Sequence, residues 1–146
     1  MLVYLDLNCF NRPFDDQQQE RIARETAAVF LILQRITDGV DRLAWSATLD
    51  FENSQHPLVD RRTEIARWAQ RAVANVAFSD QAFKRAHELT EAGFGALDAA
   101  HIAAAEAGAC DRLLTCDEQL VRKAGRMGLA LRVQNPVDYL EEHTHA

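Results

Sequence analysis

Residues 96–117 read Ala-Leu-Asp-Ala-Ala-His-Ile-Ala-Ala-Ala-Glu-Ala-Gly-Ala-Cys-Asp-Arg-Leu-Leu-Thr-Cys-Asp. This stretch decides the fold. Alanine is the best helix former, so Ala96–Ala107 is expected as a helix, and Gly108 ends it. Arg112-Leu113-Leu114-Thr115 then reads as a strand, and Asp117 opens a further helix that reaches about Met127. Helix, short turn, buried strand and helix again is the unit from which parallel α/β sheets are built.

The same alternation extends in both directions. Leu2-Val3-Tyr4-Leu5 reads as a buried first strand that ends in Asp6-Leu7-Asn8. Asn11-Arg12-Pro13 marks a loop, and Asp15 and Asp16 are placed to cap the next segment. Ile22, Thr26, Val29, Phe30, Leu33 and Ile36 recur at a helical period up to Gly39. Leu43-Ala44-Trp45 is a second strand, and Ser46 opens a helix that carries Glu52 and breaks at Pro57. A helix from about Val59 to Ala74 comes next, with Ile65, Trp68, Ala69 and Ala72 facing inward. Val76-Ala77-Phe78 suits a short strand. Ser79-Asp80 caps a helix containing Ala82, Phe83, Ala86 and Leu89, which stops at Gly93. Leu129–Val133 is a last strand, Pro136 opens a terminal helix, and a frayed tail is expected from about 141. The fold class is therefore α/β, with a central, mostly parallel sheet of four or five strands and helices on both faces, in one domain over 1–146.

Four acids stand where strands end or helices begin: Asp6, Glu52, Asp98 and Asp117. In a parallel sheet the carboxyl ends of the strands converge on one crevice, where ligands bind. Four carboxylates there repel one another unless cations lie between them. Mg²⁺ and Mn²⁺ prefer carboxylate oxygens, and such metals serve phosphodiester chemistry. Asp50 lies two residues before Glu52 and so faces another side of the same helix. Asp111 precedes its strand and belongs at the opposite end of the sheet.

Composition narrows the classes. A chain of 146 residues with 48% hydrophobic residues supports one real core. No apolar run approaches the roughly 20 residues of a membrane span, and Met1–Leu5 lacks the basic start of a signal peptide, so the expected compartment is the cytoplasm. Cys9, Cys110 and Cys116 form no C-x-x-C pair, which points to buried thiols. A net charge of −6 argues against simple duplex binding; it argues less against a nuclease whose acids are neutralised by metal.

Leu-Asp-Leu-Asn at 5–8, Ser-Ala-Thr-Leu-Asp-Phe-Glu at 46–52, Leu-Asp-Ala-Ala-His-Ile-Ala-Ala-Ala at 97–105 and Leu-Leu-Thr-Cys-Asp at 113–117 occur in that order. In this the chain resembles PIN domain ribonucleases, above all the small VapC-type toxins of bacterial toxin–antitoxin pairs, over roughly residues 1 to 140. The resemblance implies a PIN-like three-layer α/β/α fold. It also implies one or two Mg²⁺ or Mn²⁺ ions held by Asp6, Glu52, Asp98 and Asp117, which are then the catalytic acids. Asp6 and Asp98 would touch metal most directly, Glu52 and Asp117 through water, with Asn8 and Thr115 as supporting polar groups. An RNA substrate, a separate antitoxin and a homodimer are implied by the same likeness, with the inward stripe of the first long helix lending part of the dimer contact. The choice of Glu52 over Asp50 rests partly on it. Leu7 departs from the pattern, since many relatives carry Ser or Thr there.

Other residues have plainer readings. His101 comes three positions after Asp98 and reads as a satisfied, partly buried histidine more readily than as a ligand. Cys116 reads as a buried thiol beside Asp117, and His143 and His145 belong to the tail. Arg61, Arg62, Arg67 and Arg71 form a basic helix side suited either to RNA phosphates or, with Glu64, to solvent. Phe10, Phe14 and Phe94 flank the crevice in sequence and read as packing or partner surface rather than base-stacking groups. Two competing functions are a non-catalytic PIN-like module that binds RNA or protein, and a receiver-type phosphoacceptor. The latter needs a lysine after a late strand, and Lys84 and Lys123 both fall on expected helices.

Overall fold

Leu2–Leu5 (β1) is buried at every position and is paired on both edges, as a central strand must be. The computed structural model describes residues 1–144. Around β1 lie β2 (Arg42–Ser46), β3 (Ala74–Val76), β4 (Arg112–Leu114) and β5 (Arg132–Gln134), in one all-parallel sheet of order β3-β2-β1-β4-β5. Tyr4 sits between Ala44 of β2 and Leu113 of β4. After β3 the chain crosses β1 to reach β4, so the strand order reverses at β1. Ligands of such sheets bind at the carboxyl ends of the strands flanking that reversal.

The connecting helices are α1 (Leu7–Asn11), α2 (Glu20–Thr37), α3 (Ala47–Ser54), α4 (Val59–Ala66), α5 (Asp80–Glu91), α6 (Ala96–Ala107), α7 (Glu118–Arg126) and α8 (Pro136–Thr144). They flank the sheet in three α/β/α layers. α2 packs on α8, α5 on α6, and α3 touches both α4 and α6. Trp45 is fully buried, edge-on to Phe10 at 5.4 Å between ring centroids, and its Nε1 donates to Asp50 Oδ1 at 2.8 Å. Asp50 thus serves the fold. Asp111 lies at the far end of the sheet, where it accepts from the Leu2 N–H at 2.7 Å. No helix among the described residues is long and apolar enough to cross a membrane.

Ser46 ends β2 and caps α3: its Oγ accepts from the Leu49 N–H at 3.1 Å. The same hydroxyl lies 2.6 Å from the Tyr4 phenol and is wholly buried. Ser46→Ala is therefore expected to cost about 1–2 kcal/mol, by the loss of a cap that is also a buried hydrogen bond. Urea unfolding checks this.

Several boundaries differ from the expectation. The stretch around Asn11-Arg12-Pro13 is not a loop: α1 runs to Asn11 and a 3-10 turn covers Arg12–Phe14, with Pro13 in the first turn where its missing N–H costs nothing. The cap of α2 is Gln19, while Asp16 accepts from Gln18 in the preceding turn. The helix expected to reach Ala74 ends at Ala66 and tightens into a 3-10 turn over Arg67–Arg71. The third strand is Ala74–Val76, not 76–78, and the last is confined to Arg132–Gln134. Phe30 and Phe83 point outward, at 56% and 61% exposure. Val29, Leu33 and Ile36 of α2 pack into the chain's own core, whereas Phe30 of the same stripe stays open. α8 continues through Thr144, where a frayed tail was expected; His145 and Ala146 lie outside the described residues.

Candidate metal centre

Asp6 comes directly after β1, and its N–H still donates to the Leu114 carbonyl at 2.8 Å, which holds it in register with β4. It occupies the N-cap of α1, yet its side chain makes no capping bond. The carboxylate is held instead by Thr115 Oγ1 at 2.9 Å and Asn8 Nδ2 at 3.2 Å, both on Oδ2. Thr115 is saturated: its hydroxyl donates to Asp6 and accepts from Asn8 Nδ2 at 3.0 Å and from the Asp117 N–H at 3.1 Å. Asn8 Oδ1 accepts from the Cys116 N–H at 3.0 Å. The ends of β1 and β4 are thus tied by three side chains, with Asn8 and Thr115 both on Asp6.

Glu52 arrives from α3 and Asp98 from the first turn of α6. Asp117 caps α7, its Oδ1 accepting from the N–H groups of Gln119 at 3.0 Å and Leu120 at 3.2 Å. Four elements bring the four acids to one edge of the sheet. Burial pushes the Asp98 carboxyl above its ordinary range, and the charges of Asp6, Asp117 and Glu52 push it further, against the pull of His101. Burial likewise raises Asp6, opposed by His101 and the Thr115 hydrogen bond and reinforced by Glu52.

Each acid keeps an oxygen free of hydrogen bonds from the described residues. For Asp6 this is Oδ1, for Glu52 Oε2 and for Asp117 Oδ2, while Asp98 makes none at all. Carboxylates gathered at one place, each with an oxygen left free, are the donor set that a hard divalent cation takes. The residues present fit such an ion.

His101 is the group the sequence undervalued. It is fully buried, not partly. Its Nε2 lies 2.7 Å from Glu52 Oε1 and 3.9 Å from Asp6 Oδ1, and its Nδ1 lies 2.6 Å from the Tyr4 phenol. One ligand atom from each of Asp6, Glu52 and His101 falls within 4.8 Å of the others. Its place one turn after Asp98, in a helix built mostly of alanine, was the available signal.

Phe10 and Phe94 are buried packing groups, whereas Phe14 lies half open under the Arg61 guanidinium at 4.6 Å. Arg61 and Arg62 are engaged by His56, at its Nε2 and its carbonyl, and Glu64 forms no ion pair among the described residues. Arg67 and Arg71 stay exposed. A second arginine group escaped the sequence reading: Arg21, Arg24 and Arg122 line a cavity of about 320 Å³ together with Glu25, Glu118 and Asp138. Cys9 and Cys116 are buried free thiols 4.0 Å apart, and burial raises Cys9 well above the ordinary thiol range. His143 stacks on Tyr139 at 4.2 Å.

The layers, the strand order and the crevice define a PIN-like α/β fold. Two solved structures share it. FitAcB from Neisseria gonorrhoeae is similar with a TM-score of 0.54 at 16% identity, over 92% of this chain and 97% of that one. VapBC2 from Rickettsia felis, bound to a DNA fragment from their promoter, gives 0.58 at 15% identity over 92% and 98%. At such identities the likeness is one of fold. No family model and no curated protein sequence matches the chain.

Proposed function

We propose that this chain is a Mg²⁺- or Mn²⁺-dependent ribonuclease and the toxin of a toxin–antitoxin pair. The observation that carries this reading is the meeting of Asp6, Glu52, Asp98 and Asp117 at the strand-order reversal, close enough for three of them to raise the fourth. The likeness to FitAcB and to promoter-bound VapBC2 supports it and supports a separate antitoxin as partner. A divalent cation held there would supply an activated water and charge neutralisation on the phosphoryl oxygens. The protein's part is positional. Thr115 and Asn8 fix Asp6, the α7 amides fix Asp117, and the first turn of α6 favours the anionic form of Asp98 through the helix dipole. The anionic crevice also suits an arginine or lysine from an antitoxin, drawn in by the same charge. A homodimer belongs to the same proposal. Lys84 and Lys123 lie on α5 and α7 rather than after a strand, which leaves the phosphoacceptor reading without its lysine.

The test is cleavage of end-labelled RNA by purified protein in Mg²⁺, in Mn²⁺ and in EDTA, beside Asp98→Asn. Discrete fragments are expected with either metal only, and none from the variant. RNA bound but left intact in both metals would favour the non-catalytic binding module instead. Fragments of equal yield in EDTA would reject metal dependence.

A further inference from the structure

Glu52 Oε1, His101, Tyr4 and Ser46 form one chain of hydrogen bonds, buried but for Glu52, with heavy-atom distances of 2.7 Å, 2.6 Å and 2.6 Å. Counting hydrogens gives the chain a direction. Ser46 Oγ already accepts from the Leu49 N–H, so its own hydrogen goes to the Tyr4 oxygen, the other partner it has among the described residues. The Tyr4 hydrogen is then free for His101 Nδ1, and burial holds that phenol firmly protonated. With Nδ1 accepting, the neutral ring carries its hydrogen on Nε2 and donates it to Glu52 Oε1. The reverse arrangement leaves the Ser46 hydrogen without an acceptor among the described residues and sets the Nε2 lone pair against a carboxylate oxygen.

We infer that His101 is a positioning residue rather than a metal ligand: Tyr4 pins its tautomer, and its Nε2–H holds Glu52 so that Oε2 is the oxygen offered to a cation. This rests on reading Glu52 as one of the cation-holding acids. The arrangement also joins the elements that carry the site. Tyr4 lies on the strand that ends in Asp6, Ser46 caps the helix that carries Glu52, and His101 lies one turn along the helix that carries Asp98. Carboxylates that bind metal depend on such outer partners, whose loss costs about 10–100-fold in affinity.

The test measures Mn²⁺ affinity by isothermal titration for wild type, His101→Leu, His101→Gln and Tyr4→Phe, with folding checked by thermal melts. Glutamine places a carboxamide N–H near the Nε2 position and keeps the donor without an imidazole lone pair. His101→Leu is expected to weaken Mn²⁺ binding by about tenfold or more, and His101→Gln to stay within about threefold of wild type. Long-range ¹H–¹⁵N spectra are expected to show the hydrogen of His101 on Nε2 in wild type, and a smaller excess of that tautomer in Tyr4→Phe, where Glu52 alone still favours it. That readout stands even if His101→Leu fails to fold. His101→Gln as weak as His101→Leu, His101→Leu with wild-type affinity, or a wild-type hydrogen on Nδ1 would each overturn the inference. Wild type that binds no Mn²⁺ at all would instead sink the metal reading beneath it.

Discussion

Asp6→Asn is expected to lower RNA cleavage by about 10³-fold without making the protein less stable than wild type. The substitution keeps shape and removes one charge. Thr115 Oγ1 and Asn8 Nδ2 both point hydrogens at Oδ2, so the asparagine oxygen can take that place and keep the tie between β1 and β4. Its amide then falls where Oδ1 stood, and a cation loses an anionic ligand. Losing a single group that stabilises developing charge costs about 10²–10³ in rate, and a charge that also retains the ion stands at the upper end. Stability does not track activity, because burial already penalises the Asp6 carboxylate. Fluorogenic RNA cleavage and thermal melts, run in parallel, separate the two. A melt that falls with activity would mean Asp6 serves the fold and not the reaction.

The second large effect concerns stability without RNA. Asp6 and Asp98 are both raised in the folded protein, burial being the first cause in each case. Between the ordinary carboxyl value of about 3.9 and the raised folded value, the folded chain holds more protons than the unfolded one. Cation-free protein therefore loses stability as pH climbs through that window and keeps this deficit at neutral pH. A bound cation reverses the sign by taking the place of the protons, so its affinity rises over the same window. At a hundredfold excess over its dissociation constant it adds about 2.7 kcal/mol. Asp98→Asn is expected to raise the melting temperature in EDTA by a few degrees and to lose most of the gain from Mn²⁺. Melts at pH 4.5 and 7.5, in EDTA and in MnCl₂, measure all of this. A cation gain that survives Asp98→Asn would place the ion elsewhere.

Much of this architecture is legible in the chain because its signals are local. β1, β2 and β4 are short apolar runs that end at polar residues. Ser46, Ser79 and Asp117 each cap the helix they precede, with the hydroxyl or carboxylate on a backbone N–H two or three residues on. What failed was set by tertiary contacts. β3 is three residues long, half-buried and paired on one edge only, so its apolar pattern is too weak to fix its register. Phe30 and Phe83 satisfy a helical period, but a period gives a stripe and not its borders. The candidate site was legible as four acids at strand and helix ends. Its wiring was not: Glu52 meets His101 across 49 residues, and Tyr4 reads as one more member of an apolar strand. Nothing local distinguishes a phenol that orients a histidine from one that merely packs.

The central claim is that the carboxylates of Asp6 and Asp98 share a divalent cation. Crystals grown with MnCl₂ and measured at the manganese absorption edge test it directly. The account predicts an anomalous peak in the crevice, about 2.0–2.6 Å from oxygens of both residues, as hard-cation coordination requires. A map with manganese bound elsewhere on the molecule and none between these two side chains would contradict it.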